Sequence, residues 1–92
     1  MQIVYDERKR RSNIEKHGYD FADLTLSFFD GALVAPARNG RFKAISRFGD
    51  RLVAIVFSPL GRETLAIISM RPVSRWERMT YAEYQKDRRH PG

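Results

Sequence analysis

Apolar residues follow two rhythms along this chain. "MQIVYDE" alternates: Ile3 and Tyr5 point one way and Val4 the other, which predicts a short strand. Asp6 then offers an N-cap, with Glu7 in the first turn, where the helix dipole favours negative charge. "ERKRRSNIEKHG" reads as a mostly polar helix ended by Gly18. Asp20 is placed to cap a second helix over "FADLTLSFF". There Phe21, Leu24 and Phe28 recur at i, i+3 and i+7 and share a core-facing stripe. Asp30-Gly31 ends it.

Strands follow. "ALVAPA" is short, and Pro36 makes it an edge or irregular strand. "RFKAISRF" alternates cleanly, with Phe42, Ala44, Ser46 and Phe48 on one face and Arg41, Lys43, Ile45 and Arg47 on the other. Gly49-Asp50 signals a hairpin turn. "RLVAIVF" is apolar on both faces, which predicts a central strand. "SPLGRE" reads as the next turn and "TLAIISM" as another strand. Arg71 ends that strand two residues beyond Ser69, so strict alternation puts it on the face of Leu65 and Ile67. Ser74 starts a last helix, whose Trp76 and Met79 stand three apart on a stripe expected in the core.

The resulting order predicts an α+β domain: an N-terminal strand and two helices, then a three- to four-stranded antiparallel sheet and a C-terminal helix. Residues 1–85 form one domain, and 86–92, "KDRRHPG", form a charged, flexible tail. Two neighbouring strands are apolar on both faces, and the early helices cover only one. The last helix, a second copy or a partner protein must lie over the other.

Length changes little, since 92 residues make one small domain. A hydrophobic fraction of 42% and an aromatic fraction of 12% exclude a disordered chain. The absence of cysteine removes disulfides, thiolate-bound zinc and thiol catalysis together. No apolar run approaches the roughly 20 residues of a membrane span and no signal-peptide pattern opens the chain, so a cytoplasmic protein is expected. Net charge alters the picture more. At +6 the chain favours anionic partners: nucleic acid, headgroups or an acidic protein.

Chemistry-bearing residues crowd the joint "ISMRPVSRWERMTYAEY". Ser74 and Glu77 satisfy the capping box, in which the hydroxyl accepts from the Glu77 N–H and the carboxylate reaches back to Ser74. Arg71 either pairs with an acid or holds a phosphate through its planar fork. Glu77, Arg78 and Tyr81 are helix-surface neighbours, with Arg75 one turn before Arg78, near free N–H groups that favour an anion. A solvated helix face is the ordinary alternative. His17 sits at a helix C-terminus, where the dipole favours a cation, and imidazole is the side chain suited to proton transfer near neutrality. Arg41, Lys43 and Arg47 would suit a nucleic-acid backbone or an acidic partner. His17 and His90 lie far apart among scattered acids, which gives no metal-ligand pattern, and no motif calls for a cofactor. Metal-independent RNA cleavage fits a set of Arg, Lys, Glu, Tyr and His, because the 2′-OH is a built-in nucleophile.

The run "YDERKRRSNIEKHGYDF" resembles the opening of BrnT toxins. It carries Asp6, Lys9, Asn13, Lys16, His17, Gly18 and Phe21, with Tyr5 where the family pattern has tryptophan. Ile67, Ile68, Ser69, Arg71, Glu77, Arg78 and Tyr81 match the family's closing motifs, while Leu60 and Ala66 stand where relatives often carry arginine. The resemblance implies a RelE-like fold and a ribonuclease toxin of a type II toxin–antitoxin pair that blocks translation. It implies a BrnA-like, DNA-binding antitoxin encoded alongside, an RNA substrate and, where cleavage is ribosome-bound, the ribosome. On it, Arg71 and Arg78 are expected to stabilise the phosphate, with Arg62 as a third cation. Glu77, Tyr81 or His17 would move the proton towards a 2′,3′-cyclic phosphate, and Lys9 and Lys16 would guide RNA. The competing reading is a non-catalytic basic module that binds nucleic acid or the antitoxin.

Overall fold

The computed structural model describes residues 1–89, the side chain of Arg89 excepted. The opening forms as its caps direct. Strand β1 (Gln2–Tyr5) leads into helix α1 (Glu7–His17). The Asp6 carboxylate accepts from the N–H groups of Arg8 and Lys9 at 2.8 and 3.2 Å. Gly18 takes a left-handed φ of 76°, and its N–H reaches the Ile14 carbonyl at 2.8 Å.

The second predicted helix is not one. "FADLTLSFF" folds as two 3-10 turns, Phe21–Asp23 and Leu26–Phe29, with Leu24 and Thr25 extended between them. Asp20 caps only the first turn, and the short segment restarts at β-branched Thr25, so no α-helical nucleus is offset by propagation. The stripe survives. Phe21, Leu24 and Phe28 are all buried in the main core, because two tight turns bring the same residues to the same side.

The sheet holds five strands in the order β1-β5-β4-β3-β2. Strands β2 (Leu33–Pro36), β3 (Phe42–Phe48), β4 (Arg51–Leu60) and β5 (Thr64–Pro72) are antiparallel neighbours. β1 lies parallel to β5, so the sheet is mixed and larger than the expected three- to four-stranded antiparallel one. A four-residue strand far from its partner carries no hairpin signal that would reveal this pairing. β4 is central and β2, with Pro36, is an edge, as the apolar pattern and the proline required. Gly49-Asp50 forms the two-residue β3–β4 turn, but β4 runs on to Leu60, leaving only Gly61, Arg62 and Glu63 as the next turn.

One irregularity decides the site. Val56 pairs with Ser69 and Phe57 with Ile67, so Ile68 is an extra residue in β5. This β-bulge breaks the alternation. Leu65, Ile67 and Met70 pack on the main core, whereas Ser69 and Arg71 pair with Val56 and Ala54 on the opposite face. The expectation that Arg71 shares a face with Leu65 and Ile67 is therefore overturned.

On the main face, Ala44, Val53, Ile55, Phe57, Ile67 and Met70 meet the aromatic residues of the two turns. Each fully buried Val, Ile, Phe or Met side chain here contributes about 1.5–3 kcal/mol. On the other face, helix α2 (Arg75–Arg89) lays Tyr81 over Ile45 and Ala54, flanked by Leu33, Leu52, Val73 and Tyr84. The last helix thus covers part of the second apolar face. Its far end is tied down by Tyr84, whose hydroxyl donates to the Ala32 carbonyl at 3.1 Å, and by Arg88, which donates to the Gly31 carbonyl at 2.9 Å. Residues 86–89, expected as tail, form the end of α2, and 90–92 and His90 lie outside the described residues. Trp76 and Met79 are 70% and 61% exposed rather than core. Glu77, Tyr81 and Tyr84 set the helix phase towards the sheet and turn Trp76 and Met79 outwards.

Candidate functional site

β1 stops pairing at Tyr5 with Ile67, which leaves the outer edge of β5 open beyond the bulge. Asn13 of α1 closes it. Its amide nitrogen donates to the carbonyls of Met70 and Tyr19, each at 2.9 Å, and its oxygen accepts from the Met70 N–H at 3.0 Å. One side chain, 5% exposed, stands in for the missing strand residue and fastens the helix to the sheet. The anchor sets the helix rotation. Lys9 and Lys16, at −4 and +3 from Asn13, fall beside it, and Ser12 follows Lys9 three residues on. With His17, Ile68 and Ser69 they line a groove of about 210 Å³. Lys9, Lys16 and His17 are exposed, and among the described residues no ion pair involves them.

Glu77 occupies a different environment. It is 4% exposed, yet every oxygen is engaged. Arg71 donates from its two terminal nitrogens to the two carboxylate oxygens at 2.8 and 2.9 Å. Lys43 stands 2.8 Å from Oε2, and the Ser74 N–H donates to Oε1 at 2.8 Å. The capping box closes with the Glu77 N–H donating to the Ser74 hydroxyl at 3.1 Å. The Arg71 guanidinium holds this carboxyl well below its ordinary value, against the opposing effect of burial, and Lys43 and the Ser74 N–H add to the lowering. Glu77 therefore pins α2 to β5 and β3 at once. It is poorly suited to accept a proton.

A second, larger groove runs along α2. Arg47, Leu52, Arg78, Tyr81, Ala82, Gln85 and Lys86 line a space of about 590 Å³. It shares Arg47, Leu52 and Arg78 with an adjoining lobe of about 390 Å³ bounded by Tyr19, Asp50, Arg51 and Pro72. Tyr81 is buried, and its hydroxyl accepts from Gln85.

The residues singled out from sequence thus separate. Lys9, Lys16 and His17 converge at the α1–β5 groove, and Arg47, Arg78 and Tyr81 at the α2 groove. Arg71, Glu77 and Lys43 form the lock near the start of α2. Arg41, Arg62 and Arg75 line neither groove. The basic row of Arg41, Lys43 and Arg47 is no continuous wet face, because Lys43 is paired and Ile45 lies under Tyr81. Ser12, Arg51, Gln85 and Lys86 were not anticipated, and Ser69 was singled out only as a motif residue. The spacing of Lys9, Ser12 and Lys16 could have flagged the first of them.

A family model described as the ribonuclease toxin BrnT of type II toxin–antitoxin systems matches residues 5–77. Among solved structures, the crystal structure of the Brucella abortus ribonuclease toxin BrnT is 47% identical. That match covers 82% of this chain and 99% of the other, with a TM-score of 0.77. No curated protein matches. The segment the family model matches contains the whole α1–β5 groove and the Glu77 lock, and stops short of Arg78, Tyr81, Gln85 and Lys86.

Proposed function

The chain belongs to the BrnT family of ribonuclease toxins of type II toxin–antitoxin systems, and from that premise we propose that it cuts RNA in the α1–β5 groove, without a metal ion. The observation that carries this reading is the meeting of two lysines, without an ion pair among the described residues, and the exposed histidine beside β5, inside the matched segment. Lys9 and Lys16 flank one space and neutralise the phosphate as it becomes the crowded phosphorane. His17 takes the proton from the 2′-OH. The O2′–P bond forms, the P–O5′ bond breaks, and the departing 5′ oxygen takes a proton from a lysine ammonium or water. The products are a 2′,3′-cyclic phosphate and a 5′-hydroxyl.

Arg71 lies two residues beyond Ser69 on the same sheet face, where Glu77 holds it in place and offsets its charge. Glu77 is a structural residue in this reading, and Arg62, Arg78 and Tyr81 lie outside the reacting groove. The α+β fold is the RelE-like one, the toxin acts in the cytoplasm on translation, and a BrnA-like antitoxin neutralises it.

The test is to incubate purified protein with RNA in excess chelator and analyse the fragment ends. Cyclic phosphate ends are expected. His17→Gln should lower the rate by at least about 100-fold, the usual contribution of a general acid–base group, without moving the melting temperature. Cleavage that appears only when ribosomes are added would mark a ribosome-dependent toxin. Salt-sensitive binding with intact RNA in both conditions would replace the nuclease by a binding module.

A further inference from the structure

The α2 groove is unused by that chemistry, and its lining is of another kind. Leu52, Ala82 and the buried edge of Tyr81 make an apolar floor. Arg47, Arg78 and Lys86 rim it, and Arg51 extends the rim into the adjoining lobe, where Asp50 is the acid. Among the described residues, none of these four cations forms an ion pair. From Arg78 to Lys86 the α2 wall runs about 12 Å, at roughly 1.5 Å per residue.

A channel that tracks single-stranded nucleic acid over several nucleotides, as opposed to a site that holds one scissile phosphate, stacks the bases on exposed aromatic faces. Among the described residues this groove has none, and Tyr19 of the adjoining lobe is half-buried against Phe48. Tyr81 is buried under its own helix, and exposed Trp76 lies on the opposite flank, about 200° around α2 from Arg78. An apolar floor inside a ring of cations instead complements a protein segment with apolar residues on one side and carboxylates along its margins. Resting on the toxin–antitoxin reading above, we propose that the α2 groove docks an acidic, amphipathic segment of the antitoxin. Apolar side chains of that segment cover Leu52 and Ala82, and its carboxylates meet Arg47, Arg51, Arg78 and Lys86. Antitoxin docking and RNA cleavage then use separate surfaces.

The experiment measures the affinity of full-length protein for the antitoxin encoded beside it, by calorimetry, for wild type, Arg51→Glu/Lys86→Glu and Ala82→Glu. All three substituted positions are exposed, and circular dichroism checks the fold. The charge reversal should weaken binding by about 100-fold or more, because like charges would now face each other. Ala82→Glu, which places a carboxylate on the apolar floor, should weaken it by about 10-fold. Cleavage of free RNA should not change. Unaltered antitoxin affinity in both variants would overturn the proposal, as would a wild-type protein that binds no antitoxin. A raised KM for RNA with antitoxin affinity intact would also overturn it and make the groove an RNA channel. Failure of the nuclease reading looks different: the wild-type protein would leave RNA intact whatever the variants bind.

Discussion

Glu77→Gln removes one charge and almost no shape, so it isolates what the buried carboxylate does. The amide oxygen can still accept from the Ser74 N–H, which spares most of the cap, itself worth about 1 kcal/mol. The same amide oxygen can still accept from one Arg71 nitrogen, whereas the charge-assisted bonds that Arg71 and Lys43 make to Oε2 are lost. Hydrogen bonds to charged groups contribute about 1.5–3 kcal/mol each. Their sum must be discounted, because the two cationic side chains stay 32% and 26% exposed and regain water. A net destabilisation of about 2–3 kcal/mol follows, smaller than the roughly 3–5 kcal/mol for breaking a fully buried pair. For a domain of this size that lowers the melting temperature by about 10–20 °C.

Urea and thermal unfolding at pH 7, followed by circular dichroism, read this directly, with an unchanged urea slope as the control for two-state behaviour. A second arm uses pH. The folded-state pKa of Glu77 is depressed below its ordinary 4.5, so its contribution is complete above that value and is lost as pH falls beneath it. The wild-type advantage over Glu77→Gln should therefore shrink in acid. Asp20, also lowered chiefly by Arg10, leaves both proteins some residual acid sensitivity. A Gln variant that unfolds within about 0.5 kcal/mol of wild type yet no longer cuts RNA would refute this account and return Glu77 to the catalytic set. The same logic governs Arg71→Ala, whose loss of toxicity is diagnostic only beside a stability measurement.

Asn13→Ala should cost about 2–3 kcal/mol in chemical denaturation, since it removes three hydrogen bonds and strands the buried Met70 N–H and carbonyl. Trp76→Ala should change stability by less than about 0.5 kcal/mol despite the size of the side chain, because its ring makes little core contact. A large loss on thermal unfolding would restore Trp76 to the core.

Much of the fold was legible because its signals are local. Caps at Asp6, Gly18 and Ser74 act within four residues, and the alternation from Phe42 to Phe48 is read from one strand alone. What escaped depends on partners distant in sequence. The pairing of β1 with β5 joins residues some sixty positions apart. The phase of α2 is set by what Glu77 and Tyr81 meet on the sheet, so a stripe through Trp76 and Met79 looked as apolar as the buried one. The site was half legible for the same reason. Residue types at the Arg71 joint suggested chemistry, but nothing local distinguishes an arginine awaiting phosphate from one already bound to a glutamate.

The bulge at Ile68 links these outcomes. Without the extra residue, Arg71 would point with Ile67 into the main core, which holds no acid among the described residues. With it, Arg71 turns to the α2 face and Glu77 acquires its partner. The same insertion lies beside the edge that Asn13 closes, and so alongside the lysines that Asn13 orients. One irregular residue thus commits the buried acid to holding the helix down. Among the described residues, the cations of both grooves form no ion pair.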